Sequence, residues 1–171
     1  MDLAARLVDE LTSAGRTVAV AESLTGGLVI SAIVEVPGAS QCLRGGVVAY
    51  ATDLKASLLG VSGELLGRHG PVHPEVALAM ARGVRERLSA DYGVATTGVA
   101  GPAALPGTPP GTFHVAVAGH HGARVVSVDL GAGTDRSAIR ASACRRALEL
   151  AWEVIDEDLG TPDGVDALDP A

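Results

Sequence analysis

Leu3, Leu7, Val8 and Leu11 fall on one stripe of a 3.6-residue repeat. The pattern predicts an amphipathic helix over 2–14, with Gly15 to end it. The period then changes. Thr17 to Ala21 reads TVAVA, a β-branched run of the kind that forms a buried strand. LVISAIVEV predicts a second helix that stops before Pro37-Gly38, and Gly45 to Tyr50 predicts a second strand. Thr52 is placed to cap a helix running through about Leu59. Pro74 suits a first helical position, and Val76, Ala77, Met80, Ala81, Val84 and Leu88 follow at helical spacing. Val94 to Thr97 predicts a third strand, and the Pro- and Gly-rich stretch 103–111 a loop. Thr112 to Ala118 and Arg124 to Leu130 predict two strands around the turn Gly119-His120-His121-Gly122. A last helix is expected from about Asp135 to Ile155, with Thr134 as its cap.

Helices thus alternate with short buried strands, and a hairpin follows. That order predicts an α/β fold, a three-layer α/β/α sandwich with a mixed, mostly parallel sheet. Ligand sites in such sheets gather at the C-terminal ends of strands. Three polar or Gly-rich segments fall there: 22–27, 50–55 and 97–102.

Composition narrows the classes. The 171 residues suit one domain, with 47% hydrophobic residues, too many for a disordered chain. No apolar run reaches the roughly 20 residues of a membrane helix, and the N-terminus does not read as a signal peptide. A cytoplasmic protein is therefore expected. Cys42 and Cys144 are too few for a disulfide framework and read as buried free thiols. Four aromatic residues and a formal charge of −7 equip the chain poorly for nucleic acid. The charge is uneven. Residues 156–171 hold six acids and no base, and without them the charge would be −1. This stretch reads as an acidic, disordered tail behind a domain at 1–155. The five histidines do not read as a metal set, since His69 and His73 lack helical spacing with a third ligand; no metal and no cofactor are expected.

Four segments carry candidate chemistry. In Glu22-Ser23-Leu24-Thr25-Gly26-Gly27 a strand feeds a sharp turn and a helix. This puts the Ser23 hydroxyl beside backbone N–H groups able to hold a phosphate or an oxyanion. Taken alone, a serine before a helix is usually a cap, and Glu22 reads equally as a general base or as a solvated or cap-bonded carboxylate. In Tyr50-Ala51-Thr52-Asp53-Leu54-Lys55, a cap at Thr52 would set Lys55 third in the helix, where a cation opposes the macrodipole. Yet Lys55 is the one lysine among 13 basic residues. Arginine stays protonated, whereas a lysine brought to lower pKa becomes a base, and a serine with a lysine base is a known nucleophilic pair. The plain alternative is a surface lysine paired with Asp53. Thr96-Thr97-Gly98-Val99-Ala100-Gly101-Pro102 suits ligand contact or a tight loop. Arg136 and Arg140 share a helix face, fit either to hold a phosphate or to pair with Asp135.

Together the segments AESLTGG, VPGAS, GGVVAYATDLK, VHPEVALAMARGV, TTGVAGP, PGTFHVAV and DRSAIRASACRRAL resemble the CinA C-terminal domain family, which includes the bacterial nicotinamide-nucleotide amidohydrolases. The resemblance covers about 3–155. It implies a three-layer α/β/α fold, homo-oligomers, a stand-alone form of the domain and hydrolysis of nicotinamide mononucleotide to nicotinic acid mononucleotide and ammonia. It makes Ser23 the nucleophile, Lys55 the general base and Tyr50 a residue positioning the pair or the substrate. Thr25, Gly26 and Gly27 match the turn after the nucleophile, with Glu22 before it. Thr97, Gly98, Gly101 and Pro102 match a ligand loop, and Arg136 and Arg140 the paired arginines of the last helix. Leu24, Thr52 and His73 depart from the family's Cys, Asn and Ser, and AALPGTPPGT replaces its usual glycines and basic residue. A catalytically silent nucleotide-binding or interaction domain is the alternative.

Overall fold

The structure, a computed structural model, describes residues 3–131 and 133–160. The chain begins with helix α1 (Leu3–Ser13), strand β1 (Val18–Glu22), helix α2 (Leu28–Val34) and a 3-10 turn at Ala39–Gln41. Strand β2 (Leu43–Val48) leads to helices α3 (Thr52–Leu59), α4 (Gly63–His69) and α5 (Pro74–Arg87). Strand β3 (Tyr92–Gly98), the hairpin of β4 (Thr112–Ala118) and β5 (Ala123–Asp129), and helix α6 (Arg136–Gly160) complete it. The sheet order is β2-β1-β3-β4-β5. β1 pairs in parallel with β2 and β3, while β4 pairs antiparallel with β3 and β5. This is the expected three-layer sandwich with a mixed sheet.

The two faces of the sheet carry different side chains, because successive strand residues point to opposite faces. Val18, Val20, Tyr92, Val94, Phe113, Val115 and Val117 meet α1, α2 and α6. Ala19, Ala21, Ala95, Ala116 and Ala118 face α3 and α5. Small residues let α5 lie very close to the strands: a β-carbon on Gly93 would stand 2.1 Å from the Ala81 carbonyl oxygen. A β-carbon on Gly83 would stand 1.9 Å from the Leu59 carbonyl oxygen, so α3 also needs a glycine to reach α5.

Boundaries differ from expectation where capping decides. The residue capping α3 is Ala51, with no side-chain cap bond, so Thr52 is the first helical residue and Lys55 the fourth. Asp135 rather than Thr134 caps α6, accepting from the Ser137 and Ala138 amides, while the Thr134 hydroxyl donates to the Leu130 carbonyl. Helix α6 continues to Gly160, so 156–160 are helical and not part of a tail; Arg124 pairs there with Glu157. The rest of the expected tail, 161–171, lies outside the described residues. Helix α4 was not signalled by periodicity, since it has no buried residue. Cys42 is buried, Cys144 half-buried, and both thiols are free. No helix among the described residues is long and apolar enough to cross a membrane.

Candidate active site

The C-terminal ends of β1, β2 and β3 open into a cavity of about 270 Å³, just below the roughly 300–1,000 Å³ of common small-molecule sites. Ser23 lies where β1 ends, and Lys55 reaches it from the first turn of α3. Lys55 Nζ donates to Ser23 Oγ at 3.0 Å and to the Ala49 carbonyl at 2.7 Å. Lys55 is 1% exposed and Ser23 8%. Among the described residues Lys55 meets no carboxylate at ion-pair distance, so the pairing with Asp53 does not form. Burial pushes its pKa from 10.5 down to about 8, because an ammonium taken from water loses hydration.

The turn after Ser23 is held from both sides. Glu22, 1% exposed, turns away from the cavity. Its carboxylate accepts from the amides of Gly27 (2.9 Å), Val29 (3.1 Å) and Ile30 (2.9 Å) at the start of α2. It is therefore a cap, neither a substrate ligand nor a base. Gly26 and Gly27, at φ 60° and 102°, let the chain fold over that carboxylate. Their amides are occupied, Gly26 by the Ser23 carbonyl and Gly27 by Glu22, so they do not form the expected oxyanion cradle. Among the described residues the amides of Leu24 and Thr25 have no acceptor. The Thr25 hydroxyl is spent on Thr96 at 2.7 Å. Neither Thr25 nor the two glycines lines the cavity.

The arginines separate. Arg140 donates from Nε to the Leu24 carbonyl at 2.9 Å and from Nη2 to the Thr25 carbonyl at 2.6 Å. It clamps the turn after Ser23 and is absent from the cavity wall. Arg136 does line the cavity; it donates to the Gly101 carbonyl and, at 3.3 Å, to the Tyr50 hydroxyl. Tyr50 is thus a rim residue, 61% exposed, tied to Arg136 and not to the serine or the lysine. Thr97, Gly98 and Gly101 line the wall; Pro102, next in the chain, does not. The Thr97 hydroxyl donates to the Pro71 carbonyl at 2.8 Å, so its role is to hold the loop before α5.

Several contributors left no sequence signal. The Ala49 carbonyl is a backbone group, and Pro71, Val72, Ala103 and Leu105 reach the cavity only through tertiary folding. Among the described lining residues the charged groups are Lys55 and Arg136, with no carboxylate. Such a cavity suits an anionic or carbonyl-bearing ligand. A buried serine in hydrogen-bond contact with an unpaired lysine of lowered pKa can perform nucleophilic acyl chemistry.

The CinA C-terminal domain family profile matches residues 1–155. The chain belongs to that family. It is 50% identical over 143 residues to a CinA-like protein of Gloeobacter violaceus, and 51% identical over 140 residues to one of Frankia casuarinae. These alignments take in 82% of this chain and 33% and 32% of the relatives, so the chain spans about a third of the length of the curated proteins it matches. Among solved structures it superposes on the competence/damage inducible protein CihA of Agrobacterium tumefaciens with a TM-score of 0.85, at 36% identity, covering 90% of this chain and 93% of that one. A CinA superfamily protein of Escherichia coli gives 0.84 at 30% identity, covering 89% and 88%. This CinA-family domain has the fold of those proteins, with the Ser23–Lys55 contact set at the strand ends.

Proposed function

We propose that this CinA-family domain is an amidohydrolase that converts nicotinamide mononucleotide to nicotinic acid mononucleotide and ammonia. The observation that carries the reading is the 3.0 Å contact between Ser23 Oγ and a buried, carboxylate-free Lys55. At pH 7 about a tenth of a lysine with a pKa near 8 is neutral. That fraction takes the Ser23 proton as Oγ attacks the carboxamide carbon. The oxyanion is met by the free amide of Leu24, which adjoins the nucleophile and lines the cavity. The Lys55 ammonium returns its proton to the nitrogen, the C–N bond breaks and ammonia leaves. Lys55, neutral again, draws a proton from water. The hydroxide equivalent attacks the ester, and Ser23 recovers its proton as the acid departs. Arg136 at the rim supplies the positive charge for the substrate's phosphate. A homo-oligomer belongs to the same proposal.

The test is ammonia release from nicotinamide mononucleotide, its riboside and the dinucleotide. Ser23→Ala and Lys55→Ala are each expected to lower kcat by about 10³-fold or more. Near-normal turnover in either variant would end the dyad reading. Turnover of the riboside in preference to the mononucleotide would end the assignment of Arg136 to phosphate.

A further inference from the structure

Outside the cavity, one cluster of metal-type ligand atoms stands out among the described residues. His69, His73 and Glu75 each offer an atom, all within 4.8 Å of one another. The two imidazoles are stacked, with centroids 4.0 Å apart and planes 21° from parallel. The histidines are half-buried and Glu75 is exposed. Glu75 meets no cation at ion-pair distance among the described residues, nor does either histidine pair with it. We propose that His69, His73 and Glu75 bind one borderline divalent transition-metal ion of the zinc class, which braces the wall of the catalytic cavity.

The chemistry follows from the donors. Two imidazoles and a carboxylate select zinc, cobalt or nickel over magnesium and calcium, which prefer all-oxygen shells. Bond lengths of about 2.0–2.2 Å to such an ion require donor atoms roughly 3.3 Å apart. The three side chains must therefore draw in by about 1 Å, a movement open to partly exposed rotamers. Three protein ligands leave a coordination position for water. His73 is also the cap of α5, its Nδ1 accepting the Glu75 amide at 3.3 Å. That nitrogen either binds the ion or gains the proton when Nε2 does, so binding exchanges the cap for a metal bond. The Glu75 carboxylate offsets the positive end of the helix where the ion would sit.

Position gives the site its consequence. His69 ends α4, and His73 and Glu75 begin α5. Between them runs the 70–73 loop, whose Pro71 and Val72 line the cavity and whose Pro71 carbonyl is held by Thr97. An ion on both flanks fastens the loop at its two ends. Buried His114 lies close enough to His73 to interact electrostatically. Burial first and His73 second lower the pKa of that imidazole.

Isothermal titration calorimetry of EDTA-treated, dialysed protein with zinc chloride tests the site. One equivalent is expected, with cobalt and nickel also bound and magnesium not. His69→Ala, His73→Ser and Glu75→Gln should each weaken zinc at least tenfold; serine keeps a cap acceptor for α5, so His73→Ser separates lost ligation from lost folding. His121→Ala should leave binding unchanged. Zinc should also slow amide hydrogen exchange at 70–73. No heat up to millimolar zinc, or wild-type affinity in both His69→Ala and His73→Ser, overturns the site. Binding that leaves exchange at 70–73 unaltered overturns the bracing.

Discussion

Lys55 concentrates the physics of this protein in one side chain. Holding its ammonium in the fold, with a pKa near 8 against 10.5 in water, costs about 3 kcal/mol. The unfolded chain binds the extra proton between those two values, so the penalty is full below pH 8 and fades as pH rises to 10.5. Lys55→Met should therefore raise stability at pH 7 by roughly 1–2 kcal/mol, the remainder being lost with the Ala49 and Ser23 hydrogen bonds. The gain should shrink by pH 10. Denaturant melts at both pH values check this, and a variant less stable than the parent at pH 7 contradicts it. In the proposed reaction the same titration governs the base. The kcat/KM for amide hydrolysis should rise about tenfold per pH step below 7 and level off above about 8. Burial raises the pKa of both thiols, that of Cys144 to about 11, with the Glu22 charge as its second cause.

Among the elements, the turn from β1 to α2 does most to aim Ser23. Glu22 closes it from inside and Arg140 from α6, so two charged side chains serve geometry, while Arg136 lines the cavity. Glu22→Gln puts an amide group against backbone donors. It should cost about 2 kcal/mol and lower the melting temperature by roughly 4–8 °C, read by calorimetry. The arginines should then separate kinetically. Arg140→Lys cannot reach two carbonyls at once, so it should lower kcat with KM little changed. Arg136→Ala should raise KM for the mononucleotide and leave the riboside's KM nearly unchanged. Equal effects of the two substitutions on KM would show that the division of roles is mistaken. That division was invisible in sequence, where both arginines simply share a face four residues apart. Which neighbour each meets depends on where the β1–α2 turn and the Gly101 loop arrive.

For the whole molecule, the thin alanine-rich layer between sheet and α5 fixes how far α3 carries Lys55 inward. Gly93→Ala drives a β-carbon into the Ala81 carbonyl, and Gly83→Ala one into Leu59. Each should destabilise by about 2 kcal/mol or more. Gly67 in α4 has open space around it, so Gly67→Ala should stabilise by roughly 0.5–1 kcal/mol. Thermal melts of the three variants test whether interlayer distance, rather than glycine content as such, limits stability. Metal binding at His69, His73 and Glu75 belongs to this scale too, because it joins α4 to α5 beside the same wall.

The sequence alone determined the strands, the main helices and their order. Period-2 and period-3.6 burial are written in consecutive residues, as TVAVA and the Leu3–Leu11 stripe show. It also singled out Ser23 and Lys55, since a lone lysine among arginines and a serine before two glycines are local facts. Tertiary structure decided the rest. It made Glu22 a cap and Arg140 a clamp, left Tyr50 at the rim, and gathered His69, His73 and Glu75. Hydrogen-bond partners are chosen by distances between segments far apart in the chain: 116 positions separate Arg140 from Leu24. The same holds for the lysine's chemistry. Its identity is local, but its lowered pKa comes from burial, and burial exists only once the layers have closed.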